Sequence, residues 1–394
     1  MRLIVVAVLL VASGCAPGRG DVLVGAIYPT GGGQGPGGIE EWRGVRLAAD
    51  RINATGGIRG RQIRLDLEPT DAADQAPAAV ERLTGRGAQV IVGSYGSTIS
   101  MPAAAAASRL GAVFWETGAV GDLGMRARMG ERVFRFPAAG GVLGHEAVAF
   151  VRDRLAPGRP LTFAVAYVDD VYGRAVARGA TDEVRTSDHR LGAEIAYDLR
   201  SADYADIVRQ VAASGADALF VSAYLDDGVE IRREVVRQGI PLVANIGTSS
   251  SYCMRAFGAA LGGDAVGAFA SDKPSGDVMD PARLDAEAAE LLRWARTTYE
   301  RRYDDVMTAP ALTGFAGAWA LFAHVMRTAT ALDADGVAAS ARRADLPRGA
   351  LPNGSGVQFV DGANARATSV IWEWVAPQTR QIVWPEAFAA PGAA

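Results

Sequence analysis

VIVGSYGSTISMPAAAAASRLGAVFWETGA, residues 90–119, holds two apolar strands separated by a small-residue loop and an alanine-rich helix. Val90–Val92 reads as a buried strand by its β-branched run and stops at Gly93, after which come Ser94, Ser97, Thr98 and Ser100. Pro102 is expected to open the helix, because proline's fixed φ suits a first turn. A second strand, Ala112–Trp115, runs into Glu116-Thr117-Gly118-Ala119. Two successive parallel strands thus end in loops whose hydroxyls and N–H groups can face one crevice. Open α/β sheets bind ligands at that edge, where helix N-termini favour anions. The stretch predicts a pocket for a small ligand with an anionic or strongly polar head group.

The same alternation extends in both directions. Asp21–Tyr28 is a strand, and the glycine run Gly31–Gly38 after it lacks a following Gly-Lys-Ser/Thr, so it reads as a flexible loop at the rim of the cleft. Trp42, Val45, Ala49 and Ile52 make a helical stripe, and Ile63, Leu65 and Leu67 alternate as a strand. Val133–Phe136 crosses out of this unit. A second series follows, with strands at Leu161–Tyr167, Leu191–Tyr197, Asp217–Ser222 and Leu242–Asn245 and a helix after each of the first three. Val266–Ala270 crosses back, long helices cover 283–303 and 312–331, and the tail reads as antiparallel edge strands. Regular strand–helix alternation predicts an α/β protein with two doubly wound parallel-sheet lobes, joined by a three-strand hinge with the ligand cleft between them. Lobe 1 is expected over 21–139 plus 272–354, and lobe 2 with the C-terminal edge strands over 140–271 plus 355–394. The hinges fall near Pro137–Gly141, Ser271–Pro274 and Gly354–Val357.

Hydrophobic residues at 49% and charged residues at 21% describe a chain with real cores, and a net charge of −4 without a basic stripe argues against nucleic acid as a partner. Residues 1–20 are different. Arg2 precedes an apolar run too short to span a bilayer, and small residues lead to Cys15, as in a bacterial lipoprotein signal and tether. Acylation of Cys15 would anchor an exported protein to the membrane, facing the periplasm or the cell exterior; an ordinary secretory signal is the alternative. Cys253 then has no disulfide partner and reads as a packed thiol. His145, His189 and His324 stand in separate segments, with neither H-E-x-x-H nor G-x-S-x-G, so no metal site, cofactor or enzyme activity is expected. An exported hydrolase using a Ser97–His145 pair is the competing reading from a different class.

VLVGAIYPTGG, GVRLAADRINATGGIRGRQIRLDLEPTDAAD and VIVGSYGSTISMPAA, followed by AYVDDVYGRAVARG and DYADIVRQVAASGADALFVSAY, resemble the leucine/isoleucine/valine-binding proteins. These are solute receptors, of the type I periplasmic binding fold, that serve ABC transporters for branched-chain amino acids and amides. The resemblance implies a monomeric receptor whose lobes close over a small ligand and deliver it to an ABC permease; a sensor feeding a signalling partner shares the fold. It places Ser97, with Thr98 beside it, at the ligand carboxylate, and Thr117 and Ala119 where backbone and hydroxyl groups complete that anion site. Tyr172, Tyr224 and Thr248 fall on the lobe 2 side. The loop Gly247–Ser250 carries no acid for a ligand ammonium; Asp170, Asp226 or Asp227 could substitute, the alternative being a solvated or helix-capping role. A carboxylate or amide with an apolar body is therefore expected to bind better than leucine.

Overall fold

The computed structural model describes residues 20–121 and 130–392. Cys15 and the proposed signal lie outside them.

Among the described residues, fourteen strands form two seven-stranded sheets. In lobe 1 these are β1 (Val22–Tyr28), β2 (Ile63–Pro69), β3 (Val90–Gly93), β4 (Val113–Glu116) and β5 (Val133–Arg135). In lobe 2 they are β6 (Thr162–Val168), β7 (Arg190–Tyr197), β8 (Ala218–Ser222), β9 (Ala244–Thr248) and β10 (Ala268–Asp272). The tail adds β11 (Phe359–Val360), β12 (Ala363–Asn364), β13 (Val370–Ala376) and β14 (Thr379–Trp384). The sheet orders are β11-β12-β5-β4-β3-β1-β2 and β14-β13-β10-β9-β8-β6-β7. Central pairs are parallel, while β11–β12, β10–β13 and β13–β14 are antiparallel. Strands β3, β4, β8, β9 and β10 are buried along their whole length, as parallel strands covered by helices on both faces must be. That double burial is why they read as unbroken apolar runs.

Helix ends follow local chemistry. Asp170 caps the helix Val171–Thr186 by accepting from Gly173 N, and Asp203 caps Tyr204–Ala213 by accepting from Asp206 N. The apolar segment Ala309–Met326 is long enough to cross a membrane, but 83% of it is buried inside the protein, against the helix Gly35–Ala54 among others.

Three expectations need correction. The glycine run is not a loose loop: Gly32–Gln34 forms a short 3-10 turn and the helix begins at Gly35. Close packing explains the glycines, since a Cβ on Gly37 would lie 2.1 Å from the Tyr95 ring and one on Gly38 would lie 2.2 Å from the Pro29 carbonyl oxygen. Pro102 does not open its helix, which starts at Ser97 and holds the proline inside it; lacking an N–H, Pro102 merely withholds one helical bond. The lobe boundary also moves. Strands β11 and β12 pair into the lobe 1 sheet beside β5, so the third crossing lies between Asn364 and Val370 and not at 354–357.

Candidate functional site

Strand β4 ends in Glu116, whose side chain is completely buried. Its Oε1 accepts from Gly118 N at 2.7 Å, from Ala119 N at 2.7 Å and from Ser94 N at 2.9 Å. Its Oε2 accepts from Ser94 N at 3.0 Å and from the Ser100 hydroxyl. The N–H donors at the strand ends, where an anionic ligand was expected, thus already hold an anion supplied by the chain. Burial raises the Glu116 pKa, against the pull of these hydrogen bonds.

Beneath this lies a second buried carboxyl. Glu41, on the helix Gly35–Ala54, accepts from Thr117 Oγ1 at 2.6 Å, and Thr117 Oγ1 is 2.5 Å from the Tyr28 hydroxyl. A threonine hydroxyl has one proton, so with Glu41 ionised Tyr28 donates to Thr117. Burial first, and then the charge of Glu116, push Glu41 up to about 8, while Lys273 and the bond from Thr117 oppose the rise. Lys273 is the only lysine in the chain. It is buried, donates to Gly118 O at 3.1 Å and lies 3.6 Å from Asp272 Oδ1.

Lobe 2 meets this edge with tyrosines and aspartates. Tyr224 donates to Asp170 Oδ2 at 2.7 Å, and Asp170 Oδ1 holds the helix cap at Gly173 N. Tyr197 donates to Asp227 Oδ2 at 2.5 Å, and burial pushes Asp227 up to about 6. The Tyr172 hydroxyl and Thr248 Oγ1 bond to each other at 2.8 Å. Between the lobes, Tyr95 adopts a left-handed φ of 73°, which is unusual for an aromatic residue, and its hydroxyl faces Ser250 of lobe 2.

A cavity of about 510 Å³ opens between the lobes beside Tyr224. Gly33, Gln34, Asp71 and Thr98 line it from lobe 1. From lobe 2 come Asp170, Asp226 and Asp227, with an apolar patch of Leu199, Tyr204, Tyr224 and Leu225. Among the residues expected at the ligand, Thr98 and Tyr224 line this cavity; Thr98 Oγ1 accepts from Gln34 Nε2 at 3.0 Å. Ser97 does not line it: its buried Oγ accepts from Gly121 N at 2.8 Å. Thr117 is tied to Glu41, Ala119 N–H to Glu116, and Tyr172 to Thr248. The Ser97–His145 pair is not formed: Ser97 Oγ meets Gly121 N, and His145 Nδ1 lies 2.8 Å from Glu183 Oε2 on lobe 2. Sequence reasoning missed Gln34, Asp71, Leu199 and Tyr204 at the cavity and the roles of Glu41, Glu116 and Lys273 around the loop Thr117–Ala119. An acid ending a wholly apolar strand, and a lone lysine among arginines, were the available signals.

A family model described as periplasmic binding protein matches residues 21–372. Leu/Ile/Val-binding protein homolog 8 of Brucella abortus (strain 2308) is 27% identical over 365 residues, covering 90% of this chain and 88% of the relative. A leucine binding protein LivK from Thermotoga maritima has a similar structure, with a TM-score of 0.78 and 15% identity over 92% of this chain and 97% of that one. LivJ from Streptococcus pneumoniae, solved in complex with isoleucine, gives 0.76 and 18% over 93% and 100%. At these identities the structural likeness establishes the fold.

Proposed function

The chain belongs to the periplasmic binding protein family, and we propose that it is an exported receptor that captures a small polar ligand between its lobes and delivers it to an ABC permease. The observation that carries this reading is the cavity of about 510 Å³ lined from both lobes, a size suited to one small molecule. Lobes joined by three crossings, after Arg135, after Asp272 and after Asn364, can close over it by hinge motion. Acylation of Cys15 would keep the receptor at the membrane beside its permease. The reading is of a binding protein, as the matching family model is described.

Small-angle scattering tests the mechanism, after a thermal-shift screen of amino acids, amides, amines and acids has found a ligand. The molecule should become more compact with ligand, and unchanged compactness at saturation rules out closure. Cys15→Ser should release the protein from the membrane fraction. A branched-chain amino acid is the second reading, favoured by the names of the relatives; stabilisation by leucine in the same screen would support it.

A further inference from the structure

Resting on the receptor reading, we propose that the cleft takes a small organic cation, an amine or amidinium with a short apolar body and no carboxylate. The site itself is given by the cavity between the lobes; what its surroundings decide is the sign of the charge it accepts. The first observation is Glu116. A ligand carboxylate at this edge would find the N–H groups of Ser94, Gly118 and Ala119 already bound to the Glu116 carboxylate, at 2.7–3.0 Å. To use them, it would have to displace a fully buried carboxylate or lie beside it. Like charges at such range are strongly unfavourable in a dry environment.

The second observation is independent and concerns the lining. Asp71, Asp170, Asp226 and Asp227 face the cavity, and among the described residues no lysine or arginine lines it. Lys273 is spent on Gly118 O and Asp272. The four acids are not equivalent. Asp170 and Asp227 are held by Tyr224 and Tyr197, and Asp71 accepts from the N–H groups of Thr30 and Gly31. Asp226 is exposed at the cavity and has no hydrogen bond or ion pair among the described residues, which makes it the group available to a charged donor. Leu199 and Leu225 offer apolar surface, and Tyr204 and Tyr224 add ring faces that favour cations.

The test is isothermal calorimetry, with thermal shift, on the exported chain using three isosteric probes: benzamidine, benzamide and benzoate. Butylamine, pentanamide and pentanoate serve as an aliphatic set, and leucine is added. The cation of each set is expected to bind most tightly, at least about tenfold better than its neutral amide, the usual worth of a hydrogen bond to a charged group. Affinity should fall with added salt. Asp226→Asn, a change at an exposed position, should weaken cation binding by about tenfold and amide binding by much less. Tighter binding of benzoate, pentanoate or leucine than of the cations overturns the inference and leaves the receptor reading standing. Cation affinity unaltered in Asp226→Asn overturns the assigned contact. Binding by no class of small molecule overturns the receptor reading with it.

Discussion

At the carboxyl ends of its strands, lobe 1 sets carboxylates against backbone N–H groups, whereas lobe 2 sets carboxylates against tyrosine hydroxyls. Glu116 takes most of its hydrogen bonds from Ser94, Gly118 and Ala119 N–H; Asp170 and Asp227 accept from the hydroxyls of Tyr224 and Tyr197, Asp170 also capping its helix at Gly173 N. The architecture is the same, but the consequences differ. In lobe 1 the acid is buried and takes three N–H donors that an anion at this edge could otherwise use. In lobe 2 the acids lie at the wall of the cavity, and each tyrosine leaves oxygen lone pairs for a further donor. Similar folds can therefore present opposite chemistries, and loop side chains decide which one a ligand meets.

The sharpest break of this comparison is Glu116→Ala. It strips three buried N–H groups and the Ser100 hydroxyl of their common acceptor, a loss of about 3–5 kcal/mol of stability. Denaturant unfolding measures it. Glu116→Gln, which keeps one carbonyl oxygen but faces the donors with an NH2 group, should lose less. Because the vacated donors form an anion site, acetate or formate should restore part of the stability of Glu116→Ala. A variant as stable as the parent, or one indifferent to acetate, would mean these contacts carry little energy.

Glu41 offers a test by pH. Its folded pKa, about 8, lies above the ordinary 4.5, with burial as the first cause and Glu116 as the second. The folded state therefore holds a proton that the unfolded state releases between those values, so stability falls as pH rises through this window and levels off above it. Glu40 on the same helix, pushed up to about 7 mainly by burial, adds to the slope at its lower end. Between about pH 5 and 8 the parent should lose on the order of 3 kcal/mol through Glu41. Glu41→Gln should flatten that part of the curve. An unchanged slope would place the titration elsewhere.

The fold was legible because parallel strands covered on both faces must be apolar throughout, and strands such as Val90–Val92 have no other reading. What escaped depended on contacts between distant parts of the chain. Gly37 and Gly38 look like a loop until the Tyr95 ring and the Pro29 carbonyl are seen to occupy their Cβ positions. Strands β11 and β12, two residues each, are too short to carry a period. The site was legible in part. Thr98, Tyr224 and the three lobe 2 aspartates reach the cavity, but nothing local in WETGA says that the glutamate side chain folds back onto its own loop.

Lobe 2 can be probed with less disruption. Tyr197→Phe removes the hydroxyl bonded to Asp227 and should cost about 1–2 kcal/mol. Burial already raises Asp227 to about 6, and the lost hydrogen bond should raise it further. An NMR titration of the carboxyl carbon reads this directly, and an unshifted midpoint would show that the hydroxyl does not stabilise the carboxylate.

The smallest effects come from two neighbours, and they separate structure from binding within lobe 1. Ser97 and Thr98 are adjacent in the first turn of one helix, yet Ser97 is buried and accepts from Gly121 N at 2.8 Å, while Thr98 lines the cavity and accepts from Gln34 Nε2 at 3.0 Å. Ser97→Ala leaves the Gly121 N–H unpaired and should cost about 1 kcal/mol of stability. Affinity for any ligand found in the screen should be unchanged, because the hydroxyl does not reach the cavity. Thr98→Val keeps the shape but frees Gln34 from its partner and removes a hydroxyl from the wall. Stability should change by less than about 0.5 kcal/mol, as for a partly exposed position, while ligand affinity falls severalfold. Calorimetry and thermal unfolding on the two variants decide it. If Ser97→Ala weakens binding and Thr98→Val does not, the ligand sits deeper, over Gly121 and Glu116, and the donors of lobe 1 must open to receive it.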